Sequence, residues 1–126
     1  MAKSSKDYVA EANAQVEKLD PSEARSRIER DGGILLDVRD PAELKDGKAK
    51  GAVNVPRGML EFRADPDTNY HDPELKKDRP VYVYCASGGR AALAGKVLKE
   101  MGYRDVYNIG GFKDWVEAGG ETEKPA

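Results

Sequence analysis

The sequence predicts an α/β protein built on a parallel sheet with helices on both faces. Three observations lead there. Strand-like and helix-like segments alternate along the chain, the rhythm of βαβ units. Two apolar runs, Ile34-Leu-Leu-Asp-Val38 and Val81-Tyr-Val-Tyr84, lack the alternation of a half-exposed strand and suit strands buried on both sides. Helix-start signals and glycine stops bracket the segments between them. The chain has 126 residues, which fits one domain with a core of its own.

The elements follow in order. Ser5 to Gln15 carries a thin apolar stripe of Tyr8, Val9, Ala12 and Val16 and reads as a helix at the domain's edge. Val16 to Leu19 is a short strand. Asp20-Pro21-Ser22-Glu23 opens a helix, with Asp20 as N-cap and Glu23 placed for a capping box. Ala24 and Ile28 give its buried side, and Gly32-Gly33 ends it. After the first apolar strand, Asp40-Pro41-Ala42-Glu43 repeats the helix-start pattern. Gly51 to Pro56 is a short strand closed by proline. Residues 57–79 are polar and turn-rich, a long loop holding short helical turns. Val81 to Tyr84 is the second buried strand, Ala91 to Met101 a helix ended by Gly102, Val106 to Ile109 a strand, and Phe112 to Ala118 a last helix. A polar tail completes the chain.

Composition narrows the function. Charged residues make up 35%, but 21 Lys and Arg stand against 23 Asp and Glu, a net charge of −2. There is no basic surplus to bind nucleic acid. The longest apolar run, Val81 to Ala86, is far short of the roughly 20 residues of a membrane span. The start, Met1-Ala-Lys-Ser-Ser-Lys-Asp7, lacks the apolar stretch of a signal peptide. The expectation is a cytoplasmic protein with no nucleic-acid or membrane partner. One cysteine and one histidine exclude an internal disulfide and the usual Cys/His zinc site, so no metal is expected.

Parallel sheets place ligands at the carboxyl ends of their strands. The informative end is Cys85-Ala86-Ser87-Gly88-Gly89-Arg90, between a buried strand and a helix. Small residues and two glycines let successive backbone N–H groups of residues 86–90 turn toward one point and form an anion nest. The helix behind points its positive end at the same place. Arg90 adds a permanent charge. These dipoles favour the thiolate form of Cys85, the nucleophilic one. A cysteine that merely packs as a small hydrophobe is the bland alternative, and the glycine pair, Arg90 and the helix argue against it. The chemistry alone leaves two classes open: sulfur transfer by thiolate attack on a sulfane sulfur, or attack on an oxyanion centre as in phosphatases and arsenate reductases.

Three more residues lie at neighbouring strand ends. Asp37 and Arg39 either support the loop or form an ion pair that holds the strand end. Arg57 faces either the same mouth or solvent. Trp115 reads as core, and His71 as a surface residue of the long loop. Asp65-Pro-Asp67-Thr-Asn69 is not a calcium loop, since Tyr70 and Lys76 stand where glycine and glutamate are required. Gly88-Gly89-Arg90 is not a Walker loop.

Four blocks in order make the chain resemble the single-domain rhodaneses, the thiosulfate sulfurtransferase family, from about Leu19 to Gly120. They are Leu35-Leu36-Asp37-Val38-Arg39 with Glu43; Gly51-Ala-Val-Asn54-Val-Pro56; Tyr84-Cys85-Ala-Ser-Gly-Gly-Arg90; and Gly102-Tyr103 with Val106, Gly110-Gly111-Phe112 and Trp115. The resemblance implies a three-layer fold with a five-stranded parallel sheet. It makes residues 1–15 a helical extension, 16–120 the rhodanese-like domain and 121–126 a tail. It implies Cys85 as nucleophile, Ala86, Ser87, Gly88, Gly89 and Arg90 as the anion loop, and Asp37, Arg39 and Arg57 as supporting residues. The implied reaction moves sulfur from a small donor, thiosulfate or a persulfide, to cyanide, a thiol or a protein acceptor, with no cofactor. The six-residue loop is the length of sulfurtransferase members; the related phosphatases and arsenate reductases carry one residue more. Three features depart from the family's pattern: Gly47-Lys48-Ala49 stands where Gly-His-Ile is usual, Ala91 stands where Ser or Thr is usual, and Ala86 to Gly89 contains no Lys or Arg.

Overall fold

A computed structural model of the chain describes residues 2–125. The strands of the main sheet are β1 (Glu17–Lys18), β2 (Ile34–Asp37), β4 (Val53–Asn54), β5 (Val81–Cys85) and β6 (Val106–Gly111). They run parallel in the order β1-β6-β5-β2-β4, so the two apolar strands lie side by side near the centre. The helices are α1 (Ser5–Gln15), α2 (Pro21–Asp31), α3 (Leu60–Ala64), α4 (Gly89–Glu100) and α5 (Phe112–Glu117).

The absence of alternation in the two apolar runs has a direct cause. One face of the sheet presents Ile34, Leu36, Val81 and Val83 to Ala91, Ala94 and Leu98 of α4 and to Leu60 and Ala64 of α3. The other presents Leu35, Tyr82 and Tyr84 to Ala24 of α2 and Trp115 of α5. Both faces exclude water, so every position needs an apolar body. The two tyrosines fit because their hydroxyls reach carboxylates, Tyr82 donating to Asp31 at 2.6 Å and Tyr84 to Asp37 at 2.7 Å. α1 packs on α4, burying Ala12 and Val16 and leaving Tyr8 exposed.

The helix start expected at Asp40 opens a 3-10 helix, Pro41–Asp46, and the Gly47 carbonyl after it accepts from Arg39 at 3.0 Å. Two expectations need correction. Asp20 precedes α2, but its side chain accepts no cap hydrogen bond, so no capping box forms there. The polar end of the chain is not a free tail. Thr122–Glu123 forms β7, which pairs antiparallel with β3 (Lys48–Ala49). Glu123 fixes this small sheet by bonding Lys48 Nζ at 2.7 Å and the Gly51 N–H at 3.0 Å. The signal was long-range charge pairing, which no local pattern displays.

Candidate active site

Cys85 is the last residue of β5 and lies on the α4 face of the sheet. The chain turns there into a loop and enters α4 at Gly89, so the first N–H groups of the helix lack intrahelical acceptors. Two backbone N–H groups point at the sulfur. Gly88 donates to Sγ at 2.9 Å and Ala91 at 3.4 Å. The nest foreseen over residues 86–90 is therefore supplied by Gly88 and, one residue further on, by Ala91. Together with the positive end of α4 they turn the positive ends of backbone dipoles toward this sulfur. Cys85 itself is buried, with 1% of its surface exposed, while Ala86 and Ser87 are exposed and Gly88, Gly89 and Arg90 are half-buried.

The loop's shape is set from β6. Gly88 has φ +104°, a left-handed conformation in which an L side chain is strained. Gly111 sits against the loop so closely that a Cβ there would overlap the Ala86 carbonyl. A cleft of about 660 Å³ opens on the outer side of the loop, between Ser87–Gly89, α1 and the ends of β1 and β6. Val9, Leu19 and Asn108 line it, and Cys85 does not.

Arg90 is engaged. Its guanidinium lies on the Glu43 carboxylate in a two-point contact, at 2.7 and 3.0 Å. The pairing holds the Glu43 carboxyl down at about 2 and raises the already high value of Arg90. The carboxylate also accepts the Asp40 N–H at 3.0 Å. The role of Glu43 was absent from the sequence reading, although its place beside the Asp37–Arg39 block marked it.

Asp37 and Arg39 form a buried ion pair, 2.9 Å apart with side chains 0% and 6% exposed. Asp37 pairs in register with Tyr84, so its side chain shares that residue's face. Cys85 follows Tyr84 and points to the other face. The pair therefore buttresses the side of the sheet away from the sulfur, and Arg39 stacks over Phe112 at 4.6 Å. Burial, with the bond to Asp37, pushes the Tyr84 phenol up, so it stays neutral and donates. Arg57 bonds Glu61 at 2.9 Å, and its Nε is buried without a partner. His71 Nε2 donates to the Leu75 carbonyl, 3.0 Å away, within its own loop. Trp115 is core, 5% exposed, and donates to the Glu121 carbonyl at 2.8 Å. Among the described residues no His, Cys, Asp and Glu cluster could hold a metal, and no helix is long and apolar enough to cross a membrane.

A parallel α/β sheet with a cysteine at a strand end, facing backbone donors under a helix N-terminus, defines a class of domain. Within that class the chain belongs to the Rhodanese-like domain family, which matches residues 20–118. Its relatives agree. It is 34% identical to a protein of Allochromatium vinosum named "Sulfurtransferase", over 68% of this chain and 74% of that one. It is 27% identical to the "Putative sulfur carrier protein YrkF" of Bacillus subtilis, over 93% of this chain and 58% of that one. The chain spans about three-fifths of the length of curated relatives such as this. Among solved structures it superimposes on a Rhodopseudomonas palustris protein of unknown function, described as a "Possible Tyrosine Phosphatase", with TM-score 0.87 and 38% identity over 98% of this chain and 96% of that one.

Proposed function

We infer that the protein is a sulfurtransferase working through a persulfide on Cys85. The observation that carries this is the pair of backbone N–H groups, from Gly88 and Ala91, directed at Cys85 Sγ. The Cys85 thiolate attacks the outer sulfur of a donor such as thiosulfate. A new Sγ–S bond forms, the donor's S–S bond breaks, and sulfite leaves with the electron pair. With a small persulfide as donor, the leaving group is the parent thiolate. The two N–H groups, fixed before reaction, stabilise the charge carried by the sulfur. A thiophilic acceptor, cyanide or a thiol, then attacks the outer sulfur and restores the thiolate. With one cysteine in the chain, discharge requires an outside molecule or a second copy.

The test is mass spectrometry after mixing with thiosulfate or with a small persulfide. One added sulfur on the wild type, and none on Cys85→Ser, is the expected result. A folded wild type that gains no sulfur from either donor sinks the proposal. Loading without discharge to cyanide or small thiols would instead favour a carrier serving a protein acceptor, the role printed in the name of the Bacillus relative. The description of the Rhodopseudomonas structure motivates a second reading, hydrolysis of a phosphate ester by the same cysteine. Turnover of an aryl phosphate that Cys85→Ser abolishes would establish it.

A further inference from the structure

Three polar or charged side chains are buried among the described residues: Asp37, Arg39 and Asn108. The first two satisfy each other. Asn108, on β6 and 2% exposed, spends both ends of its amide on backbone at the cysteine loop. Its Nδ2 donates to the Gly88 carbonyl at 3.2 Å. Its Oδ1 accepts the Gly110 N–H at 2.9 Å.

The geometry around this amide is specific. Val83 faces Asn108 across the sheet, but Cys85 faces Gly111, so β6 carries one residue more than β5 over that stretch. The extra residue brings Gly110 against the loop, where a Cβ on Gly88 would lie 3.6 Å from the Gly110 Cα. Gly88 is also the residue whose N–H lies 2.9 Å from the cysteine sulfur. A glycine turns easily about both its backbone bonds, so the direction of that N–H depends on restraint from outside. The Ala92 N–H holds the Gly88 carbonyl from the α4 side at 3.0 Å. Asn108 holds the same carbonyl from the sheet side.

We propose that Asn108 is a positioning residue for the sulfur of Cys85: by gripping the Gly88 carbonyl and the Gly110 N–H together, it keeps the Gly88 N–H aimed at Sγ. The proposal rests on the persulfide reading for its consequence, since the N–H it aims is one of the two that stabilise the transferred charge. Asn108 does not bond the sulfur itself, whose donors are Gly88 and Ala91. An asparagine that only satisfied its own burial would affect stability and leave the sulfur chemistry unchanged.

The experiment compares the full-length wild type with Asn108→Asp, Asn108→Ala and Val106→Ala. The aspartate keeps the size and the acceptor for Gly110 but cannot donate to Gly88. Val106→Ala removes core contacts on the same strand and leaves the loop untouched. Both Asn108 variants are expected to lower kcat for sulfur transfer from thiosulfate about tenfold with KM changed less than about twofold, the scale of one misdirected hydrogen bond to a charged group. Both are expected to move the Gly88 amide proton resonance upfield. Val106→Ala should lose thermal stability and keep kcat. An Asn108→Asp protein with wild-type kcat and an unmoved Gly88 resonance overturns the proposal, as does a loss no larger than that of an equally destabilised Val106→Ala. If Asn108→Ala does not fold, the isosteric aspartate decides. If the wild type takes up no sulfur from any donor, the functional reading fails separately. The Gly88 resonance in Asn108→Asp then still supports or overturns the positioning.

Discussion

Arg90 and Glu43 meet through two hydrogen bonds of 2.7 and 3.0 Å, joining the start of α4 to the 3-10 turn after β2. The only cation in the Cys85–Arg90 loop is thereby matched by a carboxylate. The sulfur's partners are backbone dipoles rather than a free guanidinium. Charge matching at this point ties the loop to the segment that follows the neighbouring strand.

This pair sets one pH dependence. The Glu43 carboxyl sits at about 2 in the folded protein, below its ordinary value of 4.5, because of its hydrogen bonds to Arg90. A depressed carboxyl contributes stability above its unfolded value and loses it as pH falls through its folded one. The melting temperature of Glu43→Gln should therefore lie below that of the wild type at pH 7. The gap should narrow below about pH 4.5 and vanish near about pH 2. Paired calorimetric scans across that range check it, and a gap that is constant with pH would contradict the assignment.

The Asp37–Arg39 pair predicts a stability effect. Removing the carboxylate in Asp37→Ala leaves the Arg39 guanidinium buried and the Tyr84 hydroxyl without its acceptor. Denaturant unfolding should show a loss of about 3–5 kcal/mol, the usual cost of breaking one side of a buried pair.

Gly111→Ala tests how tightly β6 shapes the loop. The added Cβ meets the Ala86 carbonyl, which is backbone and cannot rotate aside. The variant should be less stable by about 1–3 kcal/mol, as for overpacking elsewhere. Sulfur loading at Cys85 should slow at the same time, read by mass spectrometry over a time course. Full-speed loading would show that the loop tolerates displacement.

Glu123→Ala should release β7 from β3. Lys48 Nζ and the Gly51 N–H both lose an acceptor. Amide exchange should quicken at Lys50, whose N–H bonds the Glu121 carbonyl at 2.9 Å, while protection at Val83 stays unchanged.

Much of this was legible in the residues. Apolar runs without alternation mark strands covered on both faces, and the structure places β2 and β5 side by side with clusters above and below them. Ser5–Gln15 forms a helix at its expected bounds, because Ser4 and Asp7 cap each other locally. What stayed hidden was non-local. Asn108 reads as one more strand residue until the extra residue in β6 brings it beneath Gly88. Glu43 lies 47 positions from Arg90, and their pairing needs the crossover between β2 and β5. Lys48 and Glu123 are 75 positions apart. The loop's shape was predictable from its glycines. Which N–H groups reach the sulfur depends on where α4 begins, and that shifted the second donor to Ala91.

Tyr84 and Cys85 are consecutive, yet their side chains leave β5 on opposite sides, one into the Asp37–Arg39 buttress and the other beneath α4. A single peptide bond thus separates the two side chains, and Glu43 links their surroundings through space: its carbonyl accepts from Arg39 at 3.4 Å and its carboxylate from Arg90. Substitutions at Arg39 and Arg90 should therefore combine non-additively, with a coupling energy clearly different from zero in a double-mutant cycle. The rigidity of the sheet and the shape of the cysteine loop then share one residue through which a change in either is felt by the other.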